Sequence, residues 1–364
     1  MDALLERLLD LTIQIQQIPA PTFAEEARGI FVRDLFIKEG LADIVIDDVG
    51  NIYGRIAGNG DAAPLIICAH LDTVFPAEQD LRIARDLERV AGAGIGDNSL
   101  GVAGLFGLLW LLRDRGVRLR GDIWLVATVG EEGLGDLIGM RAVVDRFGNT
   151  PKAYLVIEGM ALGHIYHRAL GVQRYRIHAH TSGGHSWSNY GCPSAVHELA
   201  KLIGQLSMLE LPEKPRTTLN VGVFSGGTSI NTIAADASFE LDLRSEDAQV
   251  LVALARDVEK LVESANKPDV MVVADVIGQR PVGEIATTHL LVQLAESSLR
   301  EQGIQPTLVI GSTDANIPLS RGYPSICIGL TTGKGAHTVD EFIDLQPLKQ
   351  GMEQFFFFVK NLWG

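Results

Sequence analysis

Histidines and carboxylates recur where apolar runs end. His70 and Asp72 stand in LIICAHLDTVFP, Asp97 in GAGIGDNSLG, and Glu131 and Glu132 in WLVATVGEEG. Glu158 stands in AYLVIEGM and His337 in GKGAHTVDEF. Most of these residues follow directly on an apolar stretch, which points to a site built from strand ends. Imidazoles and carboxylates with no matching cysteine pattern suit a pair of zinc-like divalent ions.

Each segment has its own chemistry. His70 and Asp72, two apart, project from one strand end, so the aspartate can reach the imidazole N–H and fix its tautomer. Either residue alone reads as an ordinary loop residue. Asp97 lies in a glycine-rich loop that opens a helix. That loop lacks both GxGxxG in the right place and GxxxxGK[ST], so a phosphate cradle is excluded. A carboxylate there is often a helix cap; as a ligand, its two oxygens can bridge two cations. Glu131 and Glu132 are adjacent carboxylates at one strand end, and each raises the other's pKa unless a cation is near. The plain alternative is one solvated glutamate and one at a helix start. The functional reading gives Glu132 to the metal and leaves Glu131 to take a proton from water and pass it to a leaving amine. With Asp97 shared, His70 and Glu158 hold one ion, and Glu132 and His337 the other. Three protein ligands per ion leave a place for water, the pattern of catalytic zinc.

A second cluster lies further along. Gly183 and Gly184 precede His185 and Ser186, so His185 is presented with little steric hindrance. Gly226 to Asn231 forms another glycine-rich turn. Arg244 ends the alternating run ASFELDL. It is either a surface charge or, beside Asn231, a clamp for a substrate carboxylate.

The elements that must position these residues are legible in outline. Leu4, Leu8, Leu11 and Ile15 recur at helical spacing in MDALLERLLDLTIQIQQ, an amphipathic helix rather than a signal peptide. Pro19 and Pro21 stop it. A helix is expected over 24–40, short strands over 44–47, 52–56 and 65–69, a helix over 100–113, and buried strands over 123–128 and 153–157. Strands alternating with helices predict an α/β unit with a mixed, largely parallel sheet sandwiched by helices, with ligands at the carboxyl ends of strands. From about residue 170 the texture changes to alternating strands (172–181, 218–224, 237–243, 271–276) and two helices (194–209, 248–265). This βαββαβ order describes a ferredoxin-like α+β unit inserted into the first. The earlier pattern then resumes, with a helix over 289–302, strands over 307–310 and 325–329, and a closing helix over 347–362. The expected division is 1–169 and 283–364 for the catalytic domain and 170–282 for the insertion. Phe355 to Phe358 reads as a helix face packed on the sheet.

Bulk properties narrow the function. A chain of 364 residues favours two domains. Its 46% hydrophobic and 21% charged residues suit a soluble globular protein with a large core. The net charge of −14 disfavours nucleic acid or an anionic membrane as partner. Cys68, Cys192 and Cys327 are too scattered for a disulfide framework or a CxxC site, which fits a reducing cytoplasm. The apolar stretch from Val102 to Leu112 is too short and glycine-broken to span a membrane. The lack of GxSxG removes a serine-hydrolase elbow.

Taken together, these residues resemble the M20 family of dinuclear metallopeptidases and deacylases, from Ile18-Pro19-Ala20-Pro21-Thr22 to His337. The family includes tripeptide aminopeptidases, glutamate carboxypeptidases, acetylornithine deacetylase and succinyl-diaminopimelate desuccinylase. The resemblance implies a zinc-exopeptidase-like catalytic fold with an inserted lid that also dimerises, and two divalent ions, Zn2+ or alternatively Co2+ or Mn2+. It implies His70, Asp97, Glu132, Glu158 and His337 as ligands, Asp72 as orienting residue and Glu131 as general base. His185 would stabilise the oxyanion, often from the other subunit of a homodimer. Asn231 and Arg244 would hold substrate carboxylate or backbone groups, and Gly311, in GSTDANIPLSRGYP, would lie near the substrate. The expected activity is amide hydrolysis in small peptides, tripeptide aminopeptidase-like. Alternatives are a deacylase of N-acyl amino acids, a glutamate-carboxypeptidase-like enzyme, or a non-catalytic binding protein on the same fold. In the family, Glu at the position of Glu158 goes with carboxypeptidases and deacylases, whereas GGTSINTIA and STDAN stand nearer the tripeptidase branch. The stretch after the EE pair, GLGDLIGM, departs from the family's commoner small-residue sequence.

Overall fold

A computed structural model describes Met1–Gly364. The chain forms two compact units: Met1–Ala169 with Gly283–Gly364, and Leu170–Val282.

In the first unit the apolar runs become the centre of a sheet. Ala62–His70 pairs in parallel with Gly121–Thr128 on one side and Ala153–Glu158 on the other. Ala153–Glu158 pairs in parallel with Ser325–Gly329. Covered on both faces, these strands read as continuous apolar sequence, as central parallel strands do. The rims are largely antiparallel. Ile52–Ile56 lies on Gly121–Thr128, with Ala42–Ile46 outside it. Beyond Ser325–Gly329 comes His164–Ala169, antiparallel, which carries Thr307–Gly311 and Gly283–Glu284. His70 stands opposite Thr128, and Glu158 opposite Gly329. The parallel strands therefore end at one edge of the sheet.

Helices cover the sheet. Asp2–Gln16 buries Leu8, Leu11 and Ile15 as its spacing requires, and Gly101–Asp114 is buried through twelve consecutive residues, from Gly101 to Leu112. The helical stretch Ile95–Asp114 is long and apolar enough to cross a membrane by length and composition, and it lies inside the core. Phe355, Phe356 and Phe358 on the closing helix, Leu348–Asn361, are buried in the same core.

Two features of this unit carry no sequence signal. The strand His164–Ala169 mixes polar and apolar residues and runs almost directly into the next strand. A small sheet joins Ala84–Arg85, Arg89–Ala91, Phe342–Asp344 and Gly333–Lys334. Its strands are two or three residues long, too short for periodicity. It pairs Phe342 with Ala91, which brings the chain before Asp97 beside the chain after His337.

The second unit is a four-stranded antiparallel sheet ordered Thr217–Gly226, Asp236–Ser245, Gly171–Thr181, Val270–Arg280. The helices Ala195–Leu206 and Ala248–Ala265 pack on it around a separate core that includes Tyr175, Ile177, Phe239 and Leu241. Burial alternates along Asp236–Ser245, the mark of a sheet with one covered face. Two short strands, Gly184–His185 and Thr232–Ile233, pair outside the main sheet.

Candidate active site

The carboxyl edge of the first unit's sheet gathers the seven polar residues expected there. His70 is the last residue of its strand, and Glu158 the last of its own. Glu131 and Glu132 follow the end of Gly121–Thr128 by three and four residues. Asp97 sits in a kinked turn, Ile95–Leu100, ahead of the buried helix. His337 is reached through a tight turn in which its own φ is 65°, a conformation uncommon outside glycine but one that histidine adopts more readily than most residues.

Asp97 is at the centre of the cluster. Its Oδ1 lies 3.2 Å from His70 Nε2, and its Oδ2 lies 3.2 Å from His337 Nε2. Glu158 Oε2 is 3.7 Å from His70 Nε2, and Glu132 Oε1 is 3.2 Å from His337 Nε2. Two three-residue groups result, His70–Asp97–Glu158 and Asp97–Glu132–His337, each with donor atoms within 4.8 Å of one another. Glu131, buried, belongs to a third such group with His70 and Glu132.

His70 is set up to offer Nε2. Its Nδ1 lies 3.0 Å from the backbone carbonyl oxygen of Asp72, which can only accept, so the neutral ring carries its proton on Nδ1. The Asp72 carboxylate, expected to take that proton, is farther away at 3.5 Å. Its closer partners are elsewhere. Oδ1 accepts the backbone N–H of Glu131 at 3.0 Å, and Oδ2 accepts that of Glu132 at 2.9 Å and the Thr22 hydroxyl at 2.9 Å. One aspartate thus touches His70 and holds the backbone of both glutamates.

Without ions, the carboxylates and imidazoles of the cluster favour shared protons. Burial acts against a charged His70 ring, but Glu158, Asp72 and Asp97 outweigh it and hold its pKa well above the usual value. Hydrogen bonds to Asp97 and Glu132 lift His337 to about 10. Burial, only partly countered by His70, pushes Glu158 up to about 7. Burial also opposes ionisation of Asp97, yet hydrogen bonds from His337 and His70 take its pKa down. Imidazole nitrogens and carboxylate oxygens, three to a group, are a donor set that fits divalent ions such as zinc, with the ions replacing those protons.

Several residues that shape the site had no sequence signal. Asn98 donates to the carbonyl of Ile157 at 2.8 Å and accepts from the N–H of Gly159 at 3.0 Å, so it brackets Glu158. Only glycine fits at 159, because an added Cβ would lie 2.0 Å from the Gly96 carbonyl oxygen. Glu25 accepts the N–H of Gly130 at 3.0 Å, and buried Arg28 donates to the carbonyls of Ile18 and Leu71. Glu341 accepts three amides of the Asp97 loop. These partners are dozens to hundreds of residues apart or are backbone atoms, which no motif records.

Gly311, His185, Asn231 and Arg244 complete the candidates. Gly311 ends Thr307–Gly311, where an added Cβ would lie 2.5 Å from the Tyr166 ring. His185, Asn231 and Arg244 belong to the second unit. His185 Nδ1 accepts the N–H groups of Trp187 and Ser188 at 3.2 and 3.4 Å, which leaves Nε2 to carry the proton as a donor. Ser186 N–H donates to the Asn231 carbonyl at 3.0 Å, joining the two glycine-rich turns. Arg244 Nε donates to Asp242 Oδ1 at 2.7 Å, and Asp242 also takes Arg174.

Comparison with known proteins agrees with this geometry. Residues 66–361 match the sequence profile of peptidase family M20/M25/M40. The uncharacterized protein YqjE of Bacillus subtilis is 24% identical over 376 aligned positions, covering 96% of each chain. A tripeptidase from Staphylococcus aureus has a similar fold, with a TM-score of 0.83 at 22% identity over 98% of both chains. Aminopeptidase PepT from Bacillus cereus gives 0.80 at 22% identity over 99% of both. The cluster of histidines and carboxylates on this fold is that of a hydrolase, and the chain belongs to peptidase family M20/M25/M40.

Proposed function

We propose that the chain is a dinuclear, zinc-dependent hydrolase that cleaves an amide bond in small peptides, acting as an exopeptidase of the tripeptide aminopeptidase kind. The observation that carries the two-ion reading is the sharing of Asp97 between His70 and His337, with Glu131 beside His70 and Glu132. His70, Asp97 and Glu158 hold one ion; Asp97, Glu132 and His337 hold the other. When bound, the ions supply Lewis acidity and lower the pKa of water. Glu131 accepts the proton of the attacking water and delivers it to the leaving nitrogen. His185 donates its Nε2 proton to the carbonyl oxygen as that atom gains charge. Asn231 and Arg244 hold the substrate's carboxylate or backbone, and Gly311 lines the substrate's place. Asp72 orients His70.

The segment Leu170–Val282 serves as lid and as the contact between two subunits of a homodimer. Its outer strand, Thr217–Gly226, leaves Val223 and Phe224 exposed, which supports pairing there. Free Cys68, Cys192 and Cys327 support a cytoplasmic setting.

The peptide reading is favoured by GGTSINTIA and STDAN. Glu158 favours a second reading, a deacylase of N-acyl amino acids or a glutamate-carboxypeptidase-like enzyme. A panel assayed on the zinc-reconstituted protein separates them: free, N-blocked and C-blocked tripeptides beside N-acetyl amino acids. An aminopeptidase cleaves free and C-blocked tripeptides and spares N-blocked ones. Cleavage of N-acetyl amino acids alone establishes the deacylase, and hydrolysis of none of the panel contradicts both.

A further inference from the structure

The Asp97 loop and the chain after His337 meet at a buried carboxylate that the hydrolytic scheme does not use. Glu341 follows His337 by four residues and is fully buried. Its Oε1 accepts the backbone N–H of Gly96 at 2.7 Å and of Asp97 at 2.8 Å. Its Oε2 accepts the N–H of Gly94 at 3.1 Å, and its own backbone carbonyl accepts the N–H of Gly92 at 2.9 Å. One residue thus takes four amides from six consecutive positions of the loop.

A carboxylate is an expensive group to bury. A neutral side chain could close a loop at lower cost. What it could not do is accept through both oxygens at once, because an amide presents one acceptor and one donor. The third of the side chain's amides belongs to Asp97, whose own oxygens divide between His70 and His337 at 3.2 Å each. A small rotation of the Asp97 backbone would spoil one of those two distances.

We propose that Glu341 is a positioning residue for the metal centre. By fixing the backbone of the Asp97 loop, it aims both Asp97 oxygens, and it ties the His337 segment to that loop. This inference rests on the metal reading above. It concerns binding of the ions, so it is tested without turnover.

The full chain is freed of metal by chelation and titrated with Co2+ alone. Bound ions are counted after dialysis, and the visible absorption of Co2+ reports coordination geometry. The unsubstituted chain takes two Co2+. In Glu341→Gln the new NH2 group faces a loop N–H, and Co2+ affinity falls by about 10–100-fold with altered absorption bands, as for loss of a residue that orients ligands. Glu341→Asp keeps two acceptor oxygens at shorter reach and recovers part of that loss. A folded Glu341→Gln chain with unchanged affinity and spectrum overturns the proposal and leaves Glu341 as a loop clasp. If Glu341→Gln does not fold, Glu341→Asp decides by the same criterion. An unsubstituted chain that takes up no Co2+ fails differently, because it removes the metal reading itself.

Discussion

The backbone N–H of Glu131 donates to Asp72 Oδ1 at 3.0 Å. The residue two places beyond the first histidine therefore fixes the start of the glutamate pair, 59 positions away in sequence. The same carboxylate takes the Glu132 N–H through its other oxygen. Asp72→Asn leaves one acceptor and turns a donor toward one of these amides. Metal affinity or turnover is expected to fall about 10–100-fold. Zinc titration together with kcat checks this. Wild-type values in the variant would show that neither contact matters.

Glu131 is the proposed base. Glu131→Ala is expected to lower turnover by about 10²–10⁴ while leaving bound metal unchanged. Metal counts and kcat on the same preparation give the test. Substantial remaining activity would remove Glu131 from this role.

His185 holds its Nδ1 against two backbone amides and so presents Nε2–H. His185→Ala is expected to cost about 3 kcal/mol in kcat/KM, the loss of one oxyanion donor. Mixed dimers locate the donor. Complementation between Glu131→Ala and His185→Ala subunits is expected if the histidine acts across the dimer, and its absence places the histidine in its own subunit's site.

In chelated protein, the protons held by these imidazoles and carboxylates predict a pH dependence. The pKa of His337 is raised from 6.5 to about 10 by hydrogen bonds to Asp97 and Glu132. A group whose folded pKa is raised stabilises the chain fully below its unfolded pKa, and that contribution is lost as pH rises through the folded value. Glu158, half-buried and raised from 4.5 to about 7, acts in the same direction at lower pH. The melting temperature of the chelated chain is therefore expected to fall from about pH 6.5 to about pH 10, with a smaller fall in His337→Ala. Added zinc displaces these protons, so its stabilising increment grows with pH across the same window. Identical pH profiles for the two chelated chains would contradict this.

The sequence carried the parts of the fold whose signals are local. Continuous apolar runs announced the strands that end in His70 and Glu158, and alternation announced Asp236–Ser245. The mixed strand His164–Ala169 and the two- and three-residue strands of the small sheet have no period to read. The residue types of the site are legible as a set, because each imidazole or carboxylate alone reads as an ordinary loop residue or cap and only their recurrence at several strand ends points to a metal. Their supports were not. Glu341 meets the Asp97 loop across 244 to 247 positions, and it meets backbone amides, which every sequence possesses. Asp72 lies beside His70, yet the imidazole's nearest acceptor is the Asp72 backbone carbonyl rather than its carboxylate. Side-chain pairing can be inferred from residue types, whereas backbone acceptance depends on folded geometry.

In the proposed hydrolytic centre, Asp97 is shared by two ions. Metal-free protein titrated with zinc against the best substrate of the tripeptide and acyl-amino-acid panel tests it most directly. Activity is expected to rise with added metal and to level off at two ions per chain, with Asp97→Ala inactive at every ratio. Hydrolysis that needs no metal, or that is complete at one ion per chain, would contradict it.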